Sequence, residues 1–388
     1  MKAKVNYKEL KSSLTKALKG VQPSKTNGFG KLLKISAKDD RLTVSVNGFF
    51  GIEVNIPAAV EEEGYVVTDD REIMNIMFLP ARENVMIEKR KGSNIATVRW
   101  GDTTDVVRMR MPELDFLEVR KFNENSEQLK SCIIPAAMFK SMCKNVLWAS
   151  DDGGMNAPSL TNVVKIVIKP VDGGIGSITM TTTDSFCVMR REEKIKSQGK
   201  YEGEIQMSAS QLNKIVQCLD EENDIHMYID DGNLYFVQKD IFVDAKKILT
   251  GVASNTPEKL YKGRRSKFFV SFSRNALLEG LVAIKSWVID TQKDKMVASF
   301  EKDRIVLEVW HSQEKVGSLS VPAFLSASEG FDFDGFKIGL NKRLLDNIIA
   351  EYPDETVVMD GFANKYPVWF CAGTNNEYAY MLLPVSLE

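Results

Sequence analysis

The sequence predicts an α+β protein in which one module is repeated three times. Each third of the chain shows the same order of elements: an amphipathic helix, strands around a tight turn, a second amphipathic helix and more strands. A long internal repeat indicates that one supersecondary unit recurs along the chain. The modules are expected to span residues 1–125, 126–262 and 263–388.

Three sets of landmarks give nearly the same period. The first helices align Leu10, Phe139 and Leu277, which are 129 and 138 residues apart. The second helices align at separations of 139 and 132 residues, and the strands that follow them at 140 and 132. The landmarks of the second helices are Ile73, Leu212 and Leu344. Those of the strands are Val85, Ile225 and Val357. Their agreement supports a true repeat.

Period-2 strands around a turn lie between the two helices of each module. The predicted turns are at residues 39–41, 171–174 and 301–304. The segments 123–126 and 262–265 are polar and lack periodicity, so they are the expected linkers.

Composition places the chain among ordinary globular proteins, with 44% hydrophobic and 27% charged residues and a net charge of −2. A near-neutral total can still conceal a basic surface. No apolar stretch of about 18 residues exists, and the lysine-rich N-terminus does not resemble a signal peptide. The five cysteines are scattered without a C-x-x-C pair, so we expect free thiols and a cytoplasmic location.

The first helix carries its charge on one face. Leu10, Leu14, Ala17 and Val21 form its apolar stripe, and residues 1–25 contain seven lysines against one acid. Candidate cations on this and the other helices are Lys8, Lys16, Lys19, Lys25, Arg71, Lys214 and Arg343. An ordinary solvated face and a membrane-surface helix are the alternatives, although the stripe lacks the aromatic anchors of the latter. The first helices of modules two and three break the pattern: in module two Lys140 and Lys144 lie on a flank, and in module three Glu279 and Ser286 occupy the outer face.

No constellation of residues predicts catalysis, so we expect neither an enzyme nor a cofactor or metal site. The chain has no P-loop, no G-x-G-x-x-G after a strand, no H-E-x-x-H and no G-x-S-x-G. Its two histidines are His226, in a predicted strand, and His311, after Trp310, and both positions favour a structural or surface role over a catalytic one. The pair Asp151 and Asp152 and the run at residues 230–233 are typical of turns.

Several segments resemble the β subunit of bacterial DNA polymerase III, the sliding clamp family. Residues 331–346, with Ile338-Gly339-Leu340-Asn341 at their centre, are similar to the family's third-domain run. The C-terminal residues 380–387 are similar to its Tyr, apolar residues and Met-Pro-Met-Arg-Leu. Thr182-Thr183-Asp184 and residues 158–163 resemble its Ala-Thr-Asp and strand entry. The resemblance covers the whole chain, because module count, order and period fit.

Two departures fall in the region where the family binds partner peptides. Ser185-Phe186-Cys187 stands where the family has Gly-His-Arg. Leu383-Pro384-Val385-Ser386 stands where it has Met-Pro-Met-Arg, and Glu388 is an extra residue. This divergence would suit a clamp carried by a phage or plasmid.

The resemblance implies a DNA clamp fold and a non-enzymatic ring. Two helices of each module would line a channel, antiparallel sheets would lie outside, and a homodimer would encircle duplex DNA without reading sequence. The candidate cations would then face the channel, and short peptides of DNA polymerase and clamp loader would bind outside it. The ring would tether the replicative polymerase as a processivity factor.

The resemblance also places two contact surfaces. The implied peptide pocket consists of Leu160, Thr183, Asp184, Phe186, Val188, Leu382, Leu383, Pro384 and Val385. The implied dimer interface consists of Val106 in module one and Trp287 and Val288 in module three. One alternative is a monomeric clamp-fold module that binds polymerase peptides without closing. The other is an enzyme acting on nucleic acid through a site of scattered acids.

Overall fold

The computed structural model describes residues 1–22, 31–79, 83–100, 106–112, 115–124, 126, 129–150, 162–169, 175–196, 201–248, 256–284, 295–311, 314–373 and 377–387. In this part of the chain one order of elements recurs three times, and we call each occurrence a repeat. The first repeat contains β1 (Lys2–Asn6), α1 (Tyr7–Leu18), β2 (Leu32–Lys38), β3 (Arg41–Asn47), β4 (Gly51–Glu62), β5 (Gly64–Asp69), α2 (Asp70–Met77), β6 (Asn84–Glu88), β7 (Ile95–Trp100) and β8 (Val106–Arg110).

The second and third repeats follow the same order. The second contains β9 (Lys130–Pro135), α3 (Ala136–Leu147), β10 (Val163–Lys169), β11 (Ile175–Thr183), β12 (Cys187–Lys196), β13 (Gly203–Ser208), α4 (Ala209–Val216), β14 (Asp224–Ile229), β15 (Asn233–Gln238) and β16 (Ile241–Lys246), and the short helix α5 (Thr256–Lys262) follows it. The third contains β17 (Phe268–Ser273), α6 (Arg274–Ala283), β18 (Lys295–Glu301), β19 (Arg304–His311), β20 (Glu314–Ala327), β21 (Lys337–Leu340), α7 (Lys342–Glu351), β22 (Thr356–Gly361), β23 (Val368–Ala372) and β24 (Tyr378–Leu382).

The predicted landmarks are confirmed. Leu10, Phe139 and Leu277 are buried on α1, α3 and α6. The second-helix landmarks are buried on α2, α4 and α7, and the strand landmarks lie in β6, β14 and β22. The predicted turns at 39–41 and 301–304 close the β2–β3 and β18–β19 hairpins, whereas 171–174 lie outside the described residues.

Two boundaries differ from the prediction. The first helix begins at Tyr7 rather than near Val5, because the side chain of Asn6 accepts hydrogen bonds from the backbone N–H groups of Lys8 and Glu9 and caps the helix there. The expected linker at 262–265 begins inside α5, whose last residue is Lys262.

The described strands form two antiparallel sheets of twelve strands each. One runs β8-β7-β6-β1-β4-β16-β15-β14-β9, with β3, β2 and β5 extending from β4. The other runs β13-β10-β11-β12-β24-β23-β22-β17-β20-β19-β18-β21. Both sheets therefore cross from one repeat to the next. In each case the last strand of a repeat pairs with the long strand of the preceding repeat, β16 with β4 and β24 with β12.

Six helices lie side by side in the order α2-α1-α4-α3-α7-α6, and we call them the helix row. The two helices of each repeat contact each other. The turn after α4 reaches α1, since Cys218 Sγ donates to the carbonyl oxygen of Lys16 at 3.3 Å. Lys144 on α3 forms an ion pair of 3.3 Å with Glu351 on α7. Among the described residues, no helix is long and apolar enough to cross a membrane.

Candidate nucleic-acid and peptide interfaces

The helix row carries most of the predicted cations on its outward faces. Lys8 on α1, Arg71 on α2 and Arg343 on α7 are exposed, because the apolar stripes of these helices pack against the sheets. Lys19 and Lys214 are partly buried. Lys25 lies outside the described residues. The predicted cations that the structure describes therefore share one layer of the molecule.

Lys214 on α4 lies near the first repeat. Its ammonium group is 4.8 Å from the centre of the Phe49 ring, a cation–π contact. Burial lowers the pKa of Lys214, and the positive charge of Lys19 lowers it further. The first and second repeats therefore bring cations together where α1 meets α4.

Acids accompany several lysines of the row, which the helical pattern did not predict. Lys16 forms an ion pair of 2.6 Å with Asp220, and Lys140 one of 3.0 Å with Glu221. Lys140 and Lys144, placed on a flank by the sequence pattern, line a groove of about 670 Å³ between α3 and α4. Each paired acid is distant in sequence from its lysine, so no local spacing could have revealed it.

The C-terminal strand β24 lies beside β12 in the sheet. Cys187 pairs with Leu382, and Val188 pairs with Met381. The backbone N–H of Leu383 donates to the carbonyl oxygen of Phe186 at 2.9 Å. The residues after Leu382 therefore leave the sheet directly beside the loop that joins β11 to β12.

Thr183 and Asp184 build this loop. Asp184 Oδ1 accepts from the N–H groups of Phe186 and Cys187 at 2.9 and 2.7 Å, and Thr183 Oγ1 accepts from that of Ser185 at 3.1 Å. Ser185 has a φ of 75°, a left-handed conformation that favours glycine, which the sliding clamp family has here. The loop presents Phe186 to solvent with 66% of its surface exposed.

A small apolar cluster, separate from the main core, lies beside this loop. We call it the outer cluster; its buried members are Val188, Trp369, Cys371, Ala379 and Met381. Tyr261 of α5 and Leu383 pack against it, and the Tyr261 and Trp369 rings meet edge to face at 5.9 Å. Tyr261 and Trp369 were missed from the sequence: Tyr261 lies just before the expected linker, and Trp369 lies in a strand of uniformly buried residues without period-2 alternation.

Not every predicted pocket residue reaches this surface. Leu382 is fully buried in the main core, because successive side chains of a strand point to opposite faces and its neighbours Met381 and Leu383 take the outer one. Pro384 and Val385 are at least partly exposed. Leu160 lies outside the described residues.

The C-terminal tail is fixed at Gly339. The N–H of Val385 donates to the carbonyl oxygen of Gly339 at 2.9 Å, so the tail adds to β21. A Cβ atom at Gly339 would lie 2.2 Å from the carbonyl oxygen of Val385. The glycine in the family-like run Ile338-Gly339 therefore permits the close approach of the tail.

Several strands have an edge with no described partner, and two of them, β8 and β20, belong to the first and third repeats. β8, which begins at the predicted interface residue Val106, pairs only with β7. Residues 314–322 of β20 pair with β19 on one side and have no described neighbour on the other. Trp287 and Val288 lie outside the described residues.

The cysteine thiols are buried. All five cysteines are buried free thiols, and burial raises the pKa of Cys132 to about 12. Within the described ranges, no group of three or more His, Cys, Asp or Glu side chains could hold a metal ion.

Comparison with known proteins identifies the fold. No protein-family model matches the chain, and no curated protein does. Among solved structures, it is similar to the DNA polymerase sliding clamp of Bacillus subtilis, with a TM-score of 0.84, 17% identity and full coverage of both chains. The DNA polymerase III β subunit of Thermotoga maritima gives 0.82 and 16%, also over both whole chains. A Pseudomonas aeruginosa sliding clamp bound to griselimycin gives 0.82 and 12% with the same coverage. The whole chain therefore has the sliding clamp fold.

Proposed function

We propose that this chain is a DNA sliding clamp, a ring-shaped homodimer of three-module subunits that encircles duplex DNA in the cytoplasm and tethers a polymerase. The modules are residues 1–125, 126–262 and 263–388. The observation that carries the proposal is the row of helices with outward cations, backed by sheets in which β8 and part of β20 each have an edge with no described partner.

Ring closure follows from the pairing between repeats. Within the chain, the last strand of one repeat pairs with the long strand of the repeat before it. The strands left over are β8, a last strand, and β20, a long strand. Applying the same contact between two copies joins each β8 to the partner's β20 and closes a ring. Twelve helices of about 10 Å diameter would then surround a hole of about 28 Å, wide enough for a duplex and water.

Function follows from this geometry. Cations of the helix row would attract phosphates without contacting base edges, so that the ring slides. Topology rather than affinity would retain the ring on DNA. A polymerase held by a short peptide would remain near the primer end at high effective concentration.

Assembly is tested by removing one N–H from the free edge of β20. The N–H of Ala323 faces β19, as that of the equivalent Ala58 in β4 faces β3. Backbone N–H groups alternate between the two edges of a strand, so the N–H of Ser318, five residues earlier, faces the open edge of β20. We expect the wild type to have about twice the chain mass of 43.6 kDa in light scattering. Ser318→Pro should shift it towards monomer, whereas Ser318→Ala should not. A monomeric wild type at micromolar concentration would instead favour the open peptide-binding module.

DNA binding is tested at Lys8, which is exposed on α1, and at Lys19, the partly buried C-cap residue of that helix. Replacing Lys8 and Lys19 with Gln should reduce the magnitude of the slope of log affinity against log salt concentration by about 1.8. Each phosphate contact that is removed lowers this magnitude by about 0.9. The control replaces Lys239 and Lys302, which lie in β-turns outside the helix row, with Gln. Equal slopes for the two variants would contradict the placement of DNA along the row.

Partner binding is tested at the outer cluster and the C-terminal tail. Burial of one apolar anchor contributes about 1.5–3 kcal/mol, so two anchors and backbone hydrogen bonds are consistent with a micromolar dissociation constant, about −8 kcal/mol. Removal of residues 383–388 should abolish binding of a polymerase-derived clamp peptide in calorimetry, while solution mass and DNA binding persist. Equal binding by the truncated and intact chains would refute the pocket.

A further inference from the structure

We propose that Asp220 and Glu221 are built-in competitors of DNA phosphate and set how tightly the helix row holds a duplex. The inference rests on the proposed function, because it concerns lysines that would face the DNA. It assigns these acids a role opposite to that of the surrounding cations: they weaken DNA binding.

The two acids are consecutive and engage lysines from two different repeats. Asp220 Oδ1 lies 2.6 Å from the ammonium group of Lys16 on α1. Glu221 Oε1 lies 3.0 Å from that of Lys140 on α3, which also donates to the carbonyl oxygen of Leu219 at 3.2 Å. One short turn after α4 therefore neutralises a cation on each neighbouring helix.

The turn is held in position by a buried side chain. Gln238 Oε1 accepts from the N–H of Asp220 at 2.8 Å, and its Nε2 donates to the carbonyl oxygens of Asp220 and Asn223, both at 2.9 Å. Gln238 is buried. These hydrogen bonds are made to the backbone of the turn. They therefore hold Asp220 and Glu221 in position without using their carboxylate oxygens.

The ion pairs lie at the boundary with water, where another anion can replace the carboxylate. The side chains of Asp220 and Glu221 are 46% and 66% exposed, whereas those of Lys16 and Lys140 are 20% and 24% exposed. Exposed ion pairs contribute little to stability and are screened by salt. A phosphate can therefore exchange with the carboxylate at little cost to the fold.

The groove between α3 and α4 fits a sugar–phosphate backbone. Lys140 and Lys144 supply positive charge, and Ser141, Ser210 and Asn213 supply neutral hydrogen-bond donors. Glu221 is the acid that lines it. In the protein without DNA, Glu221 is thus ion-paired with Lys140, which could otherwise bind a phosphate.

The experiment replaces both acids with their amides in the full chain, Asp220→Asn with Glu221→Gln, and measures binding of a short linear duplex by fluorescence anisotropy. Two additional phosphate contacts should steepen the salt slope by about 1.8, so the loss of affinity between about 50 and about 200 mM salt should grow about twelvefold. The matched control is Asp39→Asn with Asp40→Asn, which makes the same change in net charge at the β2–β3 turn. Both control residues have positive φ, which asparagine tolerates.

Each outcome decides the proposal. A steeper slope in the Asp220/Glu221 variant alone supports it, as does loss of that gain when Lys16→Gln and Lys140→Gln are added. Equal slopes for wild type and variant, or equal gains in variant and control, overturn it and leave the sliding clamp intact. Absence of duplex binding by every protein, even at low salt, overturns the proposed function and this inference with it.

Discussion

Arg264 fixes the segment between the second and third repeats to the third, and replacing it with Met tests this. Its guanidinium lies 3.1 Å from Asp360 Oδ2, and the Asp360 side chain is only 1% exposed. Ser266 donates to the other carboxylate oxygen. Among the described residues Asp360 Oδ2 accepts no hydrogen bond, so Arg264 supplies its partner charge.

The cost of Arg264→Met follows from the burial of that carboxylate. Breaking a buried ion pair by removing one partner costs about 3–5 kcal/mol. Arg264 is itself 21% exposed, so water can partly replace it, and we take the lower end, about 3 kcal/mol. The third repeat shares one sheet with strands of the second. At about 2–4 °C per kcal/mol for a cooperative unit of about 150–250 residues, the melting temperature should fall by about 6–12 °C.

The loss of stability in the Arg264→Met variant should depend on pH. Burial raises the pKa of Asp360, and Arg264 opposes that rise, so the pKa should be higher still in the variant. A folded pKa above the unfolded value of about 3.9 means that folding disfavours the ionised form. The destabilisation is therefore present at neutral pH and shrinks as the pH falls through the folded pKa.

Calorimetry gives the melting temperatures, and hydrogen exchange of residues 356–361 shows whether the loss lies at β22. Arg265→Met is the matched control, since Arg265 is the next residue and is exposed. Equal melting temperatures for the two variants would refute the burial argument. A deficit that stays constant from neutral to acid pH would refute the assignment to Asp360.

Three further substitutions test local geometry. Gly339→Ala should release the C-terminal tail, because a Cβ atom there would lie 2.2 Å from the Val385 carbonyl oxygen, and residues 383–387 should lose protection in hydrogen exchange. Ser185→Gly should raise stability by up to about 1 kcal/mol in denaturant unfolding, because φ at this position is 75°. Tyr352→Phe should cost about 1–3 kcal/mol in the same assay, because the hydroxyl donates to the Cys371 carbonyl oxygen and accepts from the Val358 N–H.

The helices were predictable because their signal is local. Burial of one face imposes a 3.6-residue period on apolar side chains, and the three repeats carry it at nearly constant spacing. The start of α1 was placed less well, since Val5 continues the apolar pattern while belonging to β1. The helix begins where the Asn6 side chain caps it, and hydrophobic periodicity does not detect such a cap.

The state of each charge was not predictable, because it depends on residues distant along the chain. The helical pattern places Lys16 on an outward face, but its partner Asp220 follows another helix in another repeat. The direction of the Leu382 side chain was not predictable either. Leu382 is apolar like Leu383, yet it points into the core. Periodicity gives the face of an element, whereas register and neighbouring loops decide what that face meets.

Strand edges support the proposed assembly of two copies. An exposed edge is a template for unwanted pairing, and among the described strands β8 and β20 each present one. Pro57 in β4 and Pro322 in β20 each precede the alanine whose N–H turns inward, Ala58 and Ala323. The proline ring therefore stands at the open edge in β20, and in β4 at the edge that β16 occupies, just beyond the last bond to that strand, so no ladder N–H is lost. Because β4 accepts β16 just before its proline, we infer that β20 is built to accept β8 of a second copy in the same way, covering both edges.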